Sequence, residues 1–345
     1  MLITDNNEVC TLCSEKGSLL YSKKTDQLFG APGTWDMWTC PLCGLIWLNP
    51  FPAKESLGMI YQEYYTHAST DYFVNSTKAK RIKDQIVNYF EIQSYIRLGY
   101  RDLLIETKRA FMVNLGPLPF LGEYDQLSIM TVKSSWGKRI LDVGAGNGEY
   151  LKLMSSLGWE VEGTETDKNA IDFAQSSLGI KMHHGFITDL MLPAASYDVI
   201  TMNHVLEHVY DPVSVLIECK RLLRPGGRLV ILTPNSASLG HRWFRSNWRG
   251  HEIPRHMNVF SVRNFRILAQ KAGFRIETLK SSARIARYLY STSKHIQEGR
   301  TRIGRGGNRG IYLTLKSILF QAYEELALLF NPEVGEEIVF IGING

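Results

Sequence analysis

The chain has 345 residues, 44% hydrophobic and 21% charged, with a formal net charge of +5. That is ordinary globular composition, and it excludes disordered, collagen-like and disulfide-scaffold classes. A pI near 8.8 is compatible with anionic substrates or a membrane surface, but is too weak to argue for nucleic acid alone. The length allows two domains, or one large domain with additions. Met1 to Val9 lacks the apolar core of a signal peptide, and no run of about 18 apolar residues predicts a spanning helix. Five cysteines without an export signal predict a reducing, cytoplasmic compartment.

Four of the five cysteines lie in the first 43 residues, as Cys10-Thr-Leu-Cys13 and Cys40-Pro-Leu-Cys43. Each pair offers two thiolates from one tight turn, and two turns close a tetrahedron, so the spacing predicts a zinc ribbon. Four thiolates leave no open position, which makes the metal structural. So small a segment buries little core, and the metal would supply its folding energy. Trp47 to Tyr65 reads as an aromatic connector that completes a first region, residues 1–65.

Residues 66–135 read as a helical segment, with Ile82, Ile86, Tyr89, Phe90 and Ile96 near helical spacing. Lys78, Lys80, Arg81 and Lys83 make a basic entry, and Phe111 to Leu121 is apolar and broken by two prolines. That run is too short to span a bilayer; it predicts a packed helix pair, a lid or a shallow membrane contact.

From Arg139 strands alternate with helices, the pattern of a parallel α/β sheet, and the region 136–345 is read as one domain. Strands are predicted at 139–143, 159–164, 180–183, 197–202, 228–233, 274–279 and 337–343. A helical insertion falls at about 285–330; it holds a Gly/Arg stretch, 299–310, and a long amphipathic helix from about Tyr312 to Phe330.

Ile140-Leu-Asp142-Val-Gly144-Ala-Gly146-Asn-Gly148-Glu149 runs from a strand into a glycine turn and then a helix, so the backbone can approach a ligand closely. Acidic Glu165 ends the next strand, where a carboxylate can hold both hydroxyls of a ribose. These features fit either a dinucleotide or an adenosyl ligand. Asp142 at the strand end would repel a pyrophosphate, but not a zwitterion carrying an ammonium and a sulfonium.

Further on come Tyr197-Asp198 to Asn203-His204-Val-Leu-Glu207-His208 and Leu222-Leu-Arg-Pro225-Gly226-Gly227 to Pro234-Asn235. With the glycine motif, residues 138–280 resemble the class I S-adenosylmethionine-dependent methyltransferases. The resemblance implies a Rossmann-like seven-stranded sheet, here with an N-terminal zinc ribbon and helical insertions. It also implies that Asp142 and Gly144 line the methionine end of S-adenosylmethionine and that Gly146 allows the close turn. Glu165 would hold the ribose, Thr166 would lie beside the adenine, and Phe186 and Ile187 would sandwich it. Asn203 and His204 would face the transferred methyl.

The whole architecture is similar to bacterial methyltransferases of sugars and surface glycans, and Trp248 to His256 looks typical of that group. Their histidine-rich C-methylation signature is not intact here, which favours oxygen over carbon. The expected acceptor is a hydroxyl of a sugar or related polar small molecule. Candidate bases are His204 and His256, whose type titrates near working pH. His251 and Arg255 are candidate substrate contacts, Arg255 for a phosphate or carboxylate.

His204-Val-Leu-Glu207-His208 also matches a zinc-peptidase string. It falls at a strand end inside a cofactor pattern, which rules that reading out. The stretch resembles ubiquinone-type O-methyltransferases, which use acidic and histidine residues there for a divalent metal; with His204, Glu207 and His208 on one helical face, either such a metal is held or Glu207 and His208 hold the loop. A lipid or quinone-like acceptor at the membrane surface is the second reading. A nucleic-acid modification factor is the third; Arg300, Arg302, Arg305 and Arg309 lack the interleaved aromatics it needs. Oligomeric state is not legible.

Overall fold

The computed structural model describes residues 3–61, 95–100, 129–299 and 311–345. The expected helices around Ile82–Phe90, the basic entry at 78–83, the apolar run 111–121 and the stretch 300–310 lie outside the described residues.

In chain order the N-terminal strands are β1 (Thr4–Asp5), β2 (Ser18–Lys24), β3 (Trp35–Thr39), β4 (Ile46–Asn49) and β5 (Phe51–Pro52), followed by α1 (Leu57–Tyr61). Then come β6 (Arg139–Val143), α2 (Glu149–Ser156), β7 (Glu160–Glu165), α3 (Lys168–Leu178), β8 (Lys181–His184) and β9 (Tyr197–Asn203). The chain continues through α4 (Pro212–Leu222), β10 (Leu223–Pro234), α5 (Leu239–Phe244), β11 (Asn258–Val259), α6 (Val262–Lys271) and β12 (Arg275–Ser282). It closes with α7 (Ala286–Gln297), α8 (Ile311–Leu328) and β13 (Glu337–Ile343).

The main sheet has seven strands in the order β12-β13-β10-β9-β6-β7-β8. Strands β9, β6, β7 and β8 pair in parallel, and β13 runs antiparallel to β12. This is the expected seven-stranded α/β sheet. The β6 side chains from Ile140 to Val143 are all buried, as a central parallel strand requires.

Two compact units divide the chain: residues 65–202 with 221–230, and residues 1–64 with 203–220 and 231–345. In the first, Leu151, Ile171, Ala174, Ile180 and Met182 form a core of side chains from α2, α3, β8 and the residue just before β8. The α3 helix starts where the Asp167 side chain accepts the Asn169 N–H at 2.9 Å, and it ends at Gly179 with φ of 67°.

In the second unit the cysteine-bearing ribbon is not free-standing, as a boundary near residue 65 would have it. Its β2–β3–β4 sheet gains β11, with Asn258 opposite Trp47 and Val259 opposite Ile46. Trp35, Met37, Ile46 and Leu48 share one core with Phe244, Trp248, Val259, Leu289 and Tyr290. Burying such side chains contributes about 1.5–3 kcal/mol each, so metal is not the ribbon's sole source of stability.

Candidate functional site

In the first unit three loop ends converge. Gly144, Gly146 and Gly148 all have positive φ, between 54° and 81°. A side chain there would be strained by its own backbone, which explains three glycines in five residues. The Gly144 and Ala145 amides donate to the Thr164 carbonyl at 2.9 and 3.0 Å, and the Gly146 amide donates to Glu165 Oε2 at 2.9 Å. Glu165 Oε1 accepts the amides of Thr166 (2.6 Å) and Asp167 (3.0 Å). The carboxylate is thus fixed beside the glycine loop before any ligand arrives. Gly185 donates to the Glu165 carbonyl at 2.9 Å, which brings the loop of Phe186 and buried Ile187 to the same strand end.

Asp142 is 5% exposed, and its Oδ1 accepts the Thr201 hydroxyl at 2.7 Å. Burial pushes its pKa up to about 7; the Thr201 bond opposes this and the Glu165 charge adds to it. Thr201 stands in register with Asp142 on the neighbouring strand. Sequence reasoning missed it, because strand order is not written in local spacing.

In the second unit Asn203 is exposed at the end of β9, and His204 follows with φ of 56°. Glu207 and His208 lie on a single 3-10 turn, Leu206–His208, so His204 does not share a helical face with them. Both His204 ring nitrogens meet carboxylates: Nδ1 is 3.2 Å from Glu207 Oε1 and Nε2 is 2.8 Å from Glu337 Oε1. Both carboxylates are fully buried. Burial alone would lower the His204 pKa, but the two hydrogen bonds outweigh it and raise it to about 10. His204 is therefore an imidazolium with both N–H groups engaged. It has no lone pair for a proton, and the geometry does not suit the expected base. Thr233 donates to Glu207 Oε2 at 2.9 Å, and Arg284 grips Glu337 at 2.5 and 2.9 Å. Glu337 and Arg284 carried no sequence signal, since they lie far along the chain from His204.

His256 is buried. Its Nδ1 lies 2.7 Å from the Gly250 carbonyl, so Nδ1 carries the hydrogen and Nε2 the lone pair. Burial lowers its pKa to about 4, against the pull of the nearby Glu252 carboxylate. The His208 Nδ1 likewise meets the Arg255 carbonyl at 3.0 Å. One ligand atom each from Glu207, His208 and His256 falls within 4.8 Å of the others. Two imidazoles oriented by carbonyls, facing a buried carboxylate, fit a divalent cation. His256 takes the place that sequence spacing gave to His204.

His251 and Arg255 do not present polar atoms outward. Arg255 is fully buried; it donates to Asp26 Oδ2 (2.6 Å), the Ile60 carbonyl (2.8 Å) and Glu252 Oε1 (3.3 Å). It locks the 252–256 loop to the N-terminal segment. His251 is 2% exposed among the rings of Tyr21, His241 and Trp248, at 4.9–5.4 Å between centroids. Burial holds its pKa well below the usual histidine value.

The four cysteine sulfurs converge, with Cys10–Cys43 at 3.6 Å, Cys13–Cys40 at 3.3 Å and Cys13–Cys43 at 3.8 Å. A tetrahedron with metal–sulfur bonds of about 2.3 Å has edges of about 3.8 Å. The Leu12 and Cys43 amides point at the Cys10 and Cys40 sulfurs, each at 3.4 Å, as they would toward thiolates.

Comparison with known proteins places a family described as "Methyltransferase domain" on residues 119–279. A Mycolicibacterium smegmatis protein named as an S-adenosylmethionine-dependent methyltransferase is 29% identical over 41% of this chain and 53% of its own length. Ubiquinone biosynthesis O-methyltransferases of Aromatoleum aromaticum and Paraburkholderia phymatum are 33% and 37% identical, each over 42% of this chain and 62% of their own length. The chain thus spans less than two thirds of each of these relatives. Glycine loop, strand-end carboxylate and matched segment agree: residues 119–279 match a methyltransferase domain, and the chain is similar there to S-adenosylmethionine-dependent methyltransferases.

Proposed function

We propose that this chain transfers the methyl group of S-adenosylmethionine to a hydroxyl of a sugar or related polar small molecule. The frame of Asp142, Gly146 and Glu165 supports the reading most. A loop that only glycines can form sits against a fixed carboxylate suited to ribose hydroxyls, and a second, buried carboxylate suits the cationic methionine end. Thr166, Phe186 and Ile187 would border the adenine, and Gly144 and Asn203 the methionine end.

In the reaction the sulfur–methyl bond breaks as the oxygen–methyl bond forms. The sulfonium becomes a neutral thioether, and the hydroxyl proton must leave. Alignment is worth up to roughly 7–11 kcal/mol, and a positioned base about 10²–10⁴-fold. Of the two expected bases, His256 retains a lone pair at neutral pH and His204 does not. With its pKa near 4, His256 is a weak base, so positioning would carry most of the acceleration. In place of a base, a divalent cation held by Glu207, His208 and His256 would take the His256 lone pair and would itself supply acidity to a bound hydroxyl. His204 would keep Glu207 ionised and oriented; burial alone would raise the Glu207 pKa, but hydrogen bonding to His204 brings it to about 2. Four thiolates with no open position support a structural zinc at Cys10, Cys13, Cys40 and Cys43.

A quinone-like phenol is the second acceptor class, favoured by the names of the Aromatoleum and Paraburkholderia relatives. Calorimetry with S-adenosylmethionine, and with NAD as control, tests the donor. Release of S-adenosylhomocysteine with nucleotide sugars against ortho-dihydroxyphenols then tests the acceptor. Preferential NAD binding would overturn the donor reading, and turnover confined to phenols would overturn the sugar.

A further inference from the structure

We propose that the outward face of α8 pairs with the same face of a second copy of this chain, the two helices running antiparallel about a two-fold axis. The inner face of α8 is settled: Ser317, Phe320 and Glu324 are buried. A surface helix ordinarily turns charged residues outward. Here the outward face is apolar too. Tyr312, Leu315, Leu319, Tyr323 and Leu326 are 55–70% exposed, and Ile318 is 40% exposed.

The order of these residues is complementary to its own reversal. A two-fold axis at the midpoint between Phe320 and Gln321 brings Leu315 opposite Leu326 of the other copy, and Leu319 opposite exposed Ala322. It brings Ile318 opposite Tyr323, and Tyr312 opposite Leu329, which is 66% exposed just past the helix end. Every large apolar side chain exposed between positions 312 and 329 thus falls opposite another exposed apolar residue. In a two-fold interface residue i meets j while j meets i, so this self-match is the condition for pairing. A lipid surface or an unrelated partner sets no such condition on the order.

Charge and area agree with a second copy. Lys316 falls level with Glu325 of the other copy, and the two Lys316 positions stand nine residues apart along the seam, about 13 Å. Residues 286–299 and 311–328 hold three basic and three acidic side chains, so two copies meet without net repulsion. Trp243 of α5 is 63% exposed and Phe330 84% exposed; the Trp243 ring meets Phe320 edge-on at 6.2 Å, so it extends the patch. Together these side chains leave roughly 1,000 Å² of apolar surface on one copy, against the patch of about 300–600 Å² usual on a monomer. A stable interface needs about 800 Å² per partner. At the centre, the small Ala322 side chain opposite Leu319 lets the two helix axes approach to about 8–10 Å. The inference stands apart from the proposed methyl transfer.

The mass of the full chain in solution tests it. Sedimentation equilibrium at micromolar concentration should give twice the 39.3 kDa of one chain. Leu319→Glu with Leu326→Glu puts carboxylates into the seam from both copies and should weaken pairing about a hundredfold or more, with circular dichroism like the parent's. Cysteines test the register through milder changes, one exposed side chain at a time. Copies carrying Leu315→Cys should cross-link under mild oxidation to copies carrying Leu326→Cys, and neither variant alone should exceed the parent's background. A monomeric parent overturns the proposal, whether or not it pellets with lipid vesicles. So does a double variant as dimeric as the parent, a Leu315→Cys variant that cross-links by itself, or a mixture that does not cross-link.

Discussion

Removing the Glu165 carboxylate should weaken S-adenosylmethionine binding by a calculable amount. Its two oxygens accept three amide hydrogens, from Gly146, Thr166 and Asp167, at 2.6–3.0 Å. Those bonds fix the carboxylate in the free protein, so little ordering remains for the ligand to impose. A hydrogen bond to a charged group is worth about 1.5–3 kcal/mol, so Glu165→Ala should raise the dissociation constant roughly 10–150-fold. Glu165→Gln should fall between parent and alanine variant. Its amide oxygen can still accept from Thr166 and Asp167, but its amide hydrogens would face the Gly146 N–H. S-adenosylhomocysteine shares the ribose and should lose the same factor. Calorimetry on a variant that melts near the parent temperature reads both ligands. Parent-like affinity for both in Glu165→Ala would refute the ribose assignment and the reasoning built on it.

Four further outcomes are expected. Asp142 sits near pKa 7 through burial and must be ionised to meet a cationic ligand; affinity should rise with pH through neutrality, and Asp142→Asn should flatten the profile. Elemental analysis should find close to one zinc per chain, with Cys43→Ser losing it; a folded, metal-free parent would refute the thiolate site. His204→Ala strands Glu207 and Glu337 without their shared cation, although Arg284 still holds Glu337; because the His204 side chain is 31% exposed, the cost should fall below the about 3–5 kcal/mol of a fully buried pair, read as a lower melting temperature, whereas a plain catalytic base would leave melting unchanged. Glu324 and Glu336 are both buried, and burial raises both pKa values above the ordinary 4.5. The folded state therefore holds protons that the unfolded state releases; their stability contribution is full below pH 4.5 and declines from there as pH rises through about 7 for Glu336 and about 10 for Glu324. Glu324→Gln should remove much of that decline in a melting series.

The cofactor frame was legible because its chemistry is local. A buried strand, a glycine turn and a strand-end carboxylate lie within 26 residues, Ile140 to Glu165, and each leaves a period or a residue type on the sequence. Strands β6 and β13 fall at the expected residues for the same reason. The start of β10 was placed too late, because Pro225-Gly-Gly227 reads as a turn while the strand already begins at Leu223. The ribbon's dependence on the rest of its unit was invisible. β11 has only two residues, and nothing in Asn258-Val259 announces a partner two hundred positions earlier.

The histidine cluster shows where residue type stops predicting role. His204 and His256 look equivalent in sequence: each follows a strand and sits near acids. The fold separates them by what meets each nitrogen. Close carboxylates on both nitrogens hold the His204 pKa up, while His256 gives Nδ1 to a backbone carbonyl and its Nε2 stands farther from acids, 3.5 Å from Glu252 and 3.9 Å from Glu207, where burial holds its pKa down. The decisive group for His204 is Glu337, 133 residues away on the last strand. The same carboxylate is held by Arg284, so two cations neutralise Glu207 and Glu337 together. Substituting His204 should therefore disturb Glu207 before it disturbs any proton transfer. Loss of activity in His204→Ala would be ambiguous alone. A parallel fall in melting temperature assigns it to the buried network, and a pH–rate profile unchanged in shape removes His204 from the proton path.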